Sequence, residues 1–487
     1  MKSFGKYITI SLLLILGLFC VGVLYLFFIP NSSLFNVTYI NHHKKYNSNL
    51  YTASEINHVV VNSRSYDVFV ETTDKDEIKL EIDSRSFGFV LTKNEQLDFT
   101  ATVKDKVLTF DIKEPYGAAV KNNSSITLKL SSTRSVDLTL NNTSATTTIS
   151  SDKVLINNLN YSSKSGEMNF EKATINGKMN LNINKGKFTI SKDVVTSKND
   201  MTLKLTSGRI YAKETVLGDV EILKNNRGII TLNECERLTQ NAPTAGGVIK
   251  INKASYMNFL TGDTKITVNE ISQGADIEIK KSGSIKIGTL KSISIITTKS
   301  GNITIDNAES NLTAHSDTGN ITVKKATTIV STKTNYGQIS VTFGDEVKSY
   351  SESADGFFYR VLNAEIKNGK LTAKGVDHLG IVSENEGIKV TGNGRINLTM
   401  NDVLGGNEVL GKNGSVNIVV NKDSKYALMT KSESGNVRVN LAQIIQYNGY
   451  TDKAFTQTNV NCETSTNTFV ASTNDGDLKI LDTNFAK

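Results

Sequence analysis

Tryptophan is absent from the 487 residues, and proline and cysteine occur three times each. So few prolines exclude a proline-rich extended stalk. Three cysteines exclude a disulfide framework. Cys20 falls in an apolar run, and Cys235 and Cys462 lie many repeats apart, so both are expected to be unpaired and largely buried. An excess of one charge sign is also missing. The 55 basic and 48 acidic residues are interleaved, and a net charge of +7 over this length describes a solvated surface rather than a nucleic-acid footprint. Hydrophobic residues make up 38%, with no long Leu/Ala/Glu stretches, which argues for an all-β protein with a thin core.

Long apolar runs are scarce, with one exception. "ITISLLLILGLFCVGVLYLFFI", Ile8 to Ile29, carries no charge over 22 residues. As a helix it rises roughly 33 Å, enough for a bilayer core of about 30 Å. A cleaved signal peptide would have a shorter apolar core and small residues before its cut site. Here the run ends in "YLFFIP", which suits an interfacial aromatic belt. Phe19 ahead of Cys20 disfavours a lipoprotein site. Lys2 and Lys6 favour a cytoplasmic N-terminus, with the remainder outside the cell. The expected organisation is therefore 1–7 cytoplasmic, 8–29 anchor, 30–53 juxtamembrane linker, 54–149 a β segment or cap, and 150–487 a repetitive region.

That region is built from glycine-led strands. "SGEMNF" contains Gly166, "KGKFTI" Gly186, "SGRIYA" Gly208, "RGIITL" Gly228 and "GGVIKI" Gly247. Gly283, Gly301, Gly319 and Gly337 follow at intervals of 18 residues, and Gly369, Gly387, Gly414, Gly435 and Gly476 continue the series. Each unit alternates polar and apolar residues, as in Asn302-Ile303-Thr304-Ile305, and reads as one half-buried strand. One strand cannot bury its inner face alone. A period of 18–22 residues sustained along the chain predicts a single-stranded β-helix, or solenoid, with one coil per unit. Glycine is needed where a corner demands positive φ or close backbone approach, and Asn, Ser and Thr at the corners can bond the turning backbone. The Gly476 unit is the last, so its outer edge needs a cap or a partner; pairing there would give self-association through the solenoid end.

Few residues suggest chemistry. "GNEVLGKN", from Gly406 to Asn413, has the glycines and Lys412 of a phosphate loop but lacks the Ser or Thr for magnesium and is followed by a strand. "SSDK", Ser150 to Lys153, matches a Ser-x-x-Lys spacing without its companion motifs. The five histidines, the adjacent His42 and His43 included, do not form a metal-ligand pattern. Asp306 and Asp317 are the carboxylate pair that a polysaccharide-acting β-helix enzyme would use, yet both flank turns. No catalytic, metal or cofactor site is expected. Two insertions break the repeat, near 350–366 and 441–460. They carry Phe357, Phe358, Tyr359, Tyr447 and Tyr450, candidates for binding a glycan or protein partner by aromatic stacking.

The stretch "INHVVVNSRSYDVFVETTDKDEIKLEI", followed by "SSITLKL" and serial "SGNITI" units, resembles the bacterial putative-adhesin β-solenoid family of unknown function, from about Ser54 to the C-terminus. The resemblance implies a right-handed β-helical surface domain, often membrane-anchored, with no catalytic residues to carry over. The expected function is adhesin-like or envelope-scaffolding binding at the cell surface, to envelope polymers, glycans or surface proteins. A polysaccharide-acting enzyme and a cytoplasmic, membrane-attached, self-assembling scaffold are the alternatives.

Overall fold

The computed structural model describes residues 12–18, 20–21, 38–90, 97–114, 119–196, 200–344, 362–376, 388–392, 395–400, 403, 405–412, 414–449 and 456–485. The chain divides into two compact units, Met1–Val195 and Thr196–Lys487. Both are all-β.

From Arg209 to Val376 in the second unit, strands pair in parallel, each with the strand one coil further on. Ile285 faces Ile303, Ile303 faces Ile321, and Ile321 faces Ile339, a step of 18 residues each time. Ile339 then faces Leu371, so the ladder crosses the 350–366 insertion in one step. These inward side chains are at most 1% exposed, as are Ile287, Ile305, Val323, Val341 and Ala373 in the neighbouring column. Each such Ile or Val contributes about 1.5–3 kcal/mol by leaving water. Alternation thus sends one residue in two into the core, as the sequence predicts.

The glycines form a column of their own. A Cβ at Gly301 would lie 1.5 Å from the Gly283 carbonyl oxygen, and one at Gly319 or Gly337 would lie 2.2 Å from the glycine oxygen of the preceding coil. Close approach is their shared reason, and the corner polar residues serve them. Ser316 Oγ donates to Gly301 O at 2.9 Å, and Thr334 Oγ1 to Gly319 O at 3.2 Å, although both residues face the core.

The ladder does not end where the sequence ends. Val416–Val420 pairs with Leu478–Asp482, which pairs in turn with Val437–Asn440. Gly406–Gly411 likewise pairs with Thr468–Thr473, which pairs with Tyr426–Ser432. The Gly476 coil, expected outermost, is therefore inserted between the Gly414 and Gly435 coils, where both its edges find partners. Beyond it, Tyr426–Ser432 is covered by antiparallel Thr456–Val460 and that strand by Ile444–Gly449, so part of the 441–460 insertion is a β cover. Among the described residues, Val437–Asn440 pairs on one edge alone.

The first unit repeats this device. His58–Asn62 lies between Val107–Lys113 and Val136–Asn142, all parallel, and Asp67–Thr73 lies between Ser125–Ser131 and Thr146–Ser163. Antiparallel strands close the outer side: Asp98–Lys104 folds onto Val107–Lys113, and Glu77–Val90 onto Ser125–Ser131. Thr38–Asn47, within the stretch expected as a linker, pairs with Glu77–Val90, and His43 Nε2 meets Asp83 Oδ1 at 2.8 Å. Its polar sequence hid a strand held by backbone bonds. Residues 12–18 and 20–21 are helical; among the described residues no helix is long and apolar enough to cross a membrane.

Cys235 and Cys462 are both unpaired. Cys235 is buried as expected, whereas Cys462 is half-exposed, because it sits in the irregular stretch between Thr456–Val460 and Thr468–Thr473. Burial, then the Glu234 and Asp219 charges, push the Cys235 thiol from its ordinary 9.0 up to about 12. Two results are expected. Maleimide labels Cys462 in the native protein, and labels Cys235 only after unfolding. Because the folded state holds the Cys235 proton more tightly, that contribution is complete below about pH 9 and is lost as pH rises toward 12. The stability of wild type relative to Cys235→Ala should therefore fall across that window in urea titrations.

Candidate functional site

Phe357, Phe358, Tyr359 and Tyr450 lie outside the described residues. Tyr447 is on Ile444–Gly449, its backbone opposite Thr458, and its side chain is outside the description. The weaker motifs resolve plainly. Gly406–Gly411 is a ladder strand rather than a phosphate loop. Ser151 Oγ bonds Thr72 Oγ1 at 3.0 Å and Lys153 pairs with Asp74 at 3.3 Å, which engages the Ser-x-x-Lys segment structurally. Asp306 pairs with Lys324 of the next coil at 2.6 Å, while Asp317 pairs with His315 on its own strand at 3.1 Å and accepts from Asn335 Nδ2 of the next coil at 3.4 Å; the two carboxylates sit on different strands. Among the described residues no group of three or more His, Cys, Asp or Glu comes together to hold a metal ion.

The outer faces of the coils carry polar ladders. Asn252 Nδ2 donates to Asn233 Oδ1 at 3.3 Å, Asn269 to Asn252 at 2.9 Å, and Asn417 to Asn397 at 3.0 Å. Charges compensate from coil to coil in the same way. Asp219 meets Arg237 at 3.7 Å, Glu234 meets Lys253 at 3.8 Å, Glu270 meets Lys291 at 2.9 Å and Glu365 meets Lys333 at 2.8 Å.

That compensation lapses at one concavity of about 410 Å³ in the second unit. Ile222, Gln240 and Phe259 supply its floor through their backbones, since their side chains are buried on the opposite side. The outward residues on either side of them form its walls: exposed Glu221 and Leu223 on one coil, exposed Asn258 and half-buried Leu260 on another, exposed Asp276 and half-buried Glu278 on a third. Glu278 is held by Lys280 at 2.5 Å. Glu221 and Asp276 have no ion-pair or hydrogen-bond partner among the described residues, and both are exposed. Strand alternation explains the arrangement: residues two apart share a face, and the parallel register stacks them coil on coil. The sequence reading missed this site, because its carboxylates belong to different repeats and become neighbours through register.

Behind the floor, Gln240 is 3% exposed and neither Nε2 nor Oε1 has a hydrogen-bond partner. A buried amide left unsatisfied costs about 1–3 kcal/mol. Gln240→Leu, similar in size, is expected to raise the unfolding free energy by about that amount in urea titrations, without altering the groove walls.

No family model matches this chain, and no curated protein matches it. Among solved structures the chain is similar to "a putative cell adhesion protein from Clostridium sporogenes ATCC 15579", at 8% identity and a TM-score of 0.20, covering 91% of this chain and 100% of that one. It is also similar to a putative adhesin from Bacteroides fragilis NCTC 9343, at 13% identity and a TM-score of 0.17, covering 68% and 96%. A putative adhesin from Parabacteroides merdae ATCC 43184 aligns at 12% identity and a TM-score of 0.21, covering 64% and 98%. Superposition scores this low describe no shared global geometry.

Proposed function

We propose that this chain is a single-pass bacterial membrane protein whose coils form a right-handed β-solenoid outside the cell, acting by binding, in adhesion or envelope scaffolding, rather than by catalysis. The observation that carries the reading is the helix at 12–18 and 20–21, whose seven large aliphatic side chains from Leu12 to Val21 are 59–67% exposed. A helix apolar on every face is stable where its surroundings are apolar. The uncharged run Ile8–Ile29 around it has the length a bilayer core requires. Right-handed winding is what parallel β crossovers favour. Binding is favoured because the outer columns repeat one side-chain type from coil to coil, so weak contacts add through multivalency. The outward carboxylates that catalysis would use are engaged instead, Asp306 by Lys324 of the next coil and Asp317 by His315 on its own strand and Asn335 of the next coil.

Protease shaving of intact cells tests this reading. The body should be digested while a cytoplasmic control survives. Protection until lysis, with an exposed surface control cut and the purified protein shown to be cleavable, would overturn the extracellular placement.

A further inference from the structure

We propose that the groove floored by Ile222, Gln240 and Phe259 docks an extended polypeptide segment of a partner protein, with basic side chains set between aliphatic ones. This rests on the binding reading above and names the partner's chemistry. The surrounding surface balances its charges across coils, whereas Glu221 and Asp276 face a concavity unpaired. Concave walls of low dielectric concentrate such a field, which attracts cations.

Spacing narrows the ligand. Glu221 faces Thr239 across one ladder step. The Asn233–Asn252–Asn269 ladder carries the coils on by 19 and then 17 residues, to Asn258 and the Asp276 strand. Three coil spacings of about 4.8 Å separate the two carboxylates by roughly 14 Å. In an extended chain, side chains four residues apart on one face are separated by about 13–14 Å. One segment lying across the coils therefore brings a lysine or arginine to each carboxylate.

Beside them the surface is aliphatic. Leu223 is 45% exposed on one wall, and Ile295, directly opposite Asp276 on the next coil, is 49% exposed, with Ile293 at 65%. The amides of Asn241 and Asn258, also lining the groove, offer donors and acceptors to a backbone laid over them. A polyanion is repelled by this wall, and a neutral glycan leaves both carboxylates uncompensated.

The test uses the purified full chain in a neutral detergent and a fluorescent peptide of about a dozen residues with the repeat Lys-Ser-Val-Ser, which in an extended chain sets lysines four residues apart with valines between them on one face. Binding by fluorescence anisotropy is expected at low salt and should weaken as salt rises. The double variant Glu221→Gln/Asp276→Asn should weaken it at least about tenfold, and Leu223→Ser/Ile295→Ser should also weaken it. Both pairs are exposed, and an unchanged circular dichroism spectrum checks that the variants fold. Equal binding of the same peptide with glutamate in place of lysine, unchanged binding in the carboxylate variant, or binding of neutral polysaccharide with none of the basic peptide would each overturn the proposal. Because the assay needs no cell, a negative result leaves the shaving experiment to stand or fall separately.

Discussion

Gly301→Ala is expected to lower the stability of the second unit by roughly 3–5 kcal/mol, the sum of backbone strain and overpacking. Gly406→Ala should change it by less than about 1 kcal/mol. Gly301 has φ of +154°, and a Cβ there would lie 1.5 Å from the Gly283 carbonyl oxygen and 2.6 Å from its carbon. Neither coil can yield. Gly283 N donates to Ser300 O at 2.9 Å and Ile285 N to Asn302 O at 3.0 Å, fixing one side. On the other, Gly301 N donates to Thr318 O at 3.0 Å and Ile303 N to Asn320 O at 2.9 Å. Making room for one methyl group therefore breaks rungs of the ladder. At Gly406 the nearest atom to a Cβ is Thr468 Oγ1 at 3.5 Å, an ordinary contact. Urea titrations of the two variants, followed by circular dichroism, separate the cases. Equal shifts would show that the glycine column is not packed as described.

The coil core was legible because its physics is periodic. Ile303, Ile321 and Ile339 had to stack once a half-buried strand recurred every 18 residues, and they do. Order within the stack was not legible. Val437–Asn440 and Leu478–Asp482 follow glycine alike, and either could follow Val416–Val420; the choice is made by which edges gain partners, a tertiary property. The hairpin joining Asp98–Lys104 to Val107–Lys113 also gave no warning. Its turn residues Asp105 and Lys106 adopt φ of 52° and 64° without the Asn-Gly pair that normally marks such a turn. The groove was hidden for a third reason. A carboxylate at Glu221 or Asp276 looks like any solvated residue until register shows which coils supply a compensating cation and which do not. The signal available in advance was modest: several repeats place an opposite charge about one period away, as Asp219 and Arg237 do.

The buried end of the first unit gives the other large effect: Glu114→Ala is expected to cost roughly 3–5 kcal/mol. Glu114 follows Val107–Lys113 directly and precedes Pro115, and nothing in its sequence context marks it out. It is 3% exposed, and its carboxylate accepts five hydrogen bonds. Ser63 Oγ and Arg64 N donate to Oε1 at 2.7 Å each, and Tyr66 N to the same oxygen at 3.1 Å. Ser65 N and Ser65 Oγ donate to Oε2 at 2.6 and 2.5 Å. Three successive backbone N–H groups thus form an anion-binding nest at the turn that follows His58–Asn62. Tyr66, fully buried, extends the tie, since its hydroxyl bonds Ser84 Oγ at 2.7 Å on Glu77–Val90. One side chain therefore joins the inserted coil to the strand beneath it and, through Tyr66, to the antiparallel cover. Alanine leaves those donors buried without an acceptor. Glutamine keeps the shape but turns one acceptor into a donor facing an N–H, so it rescues little. Hydrogen exchange reads the effect locally: amides of 58–73 should lose protection in both variants well before those of the 179–190 coils. Uniform loss across the unit would instead mean that the inserted coil and the stack unfold as one, with Glu114 stabilising the whole rather than pinning its end.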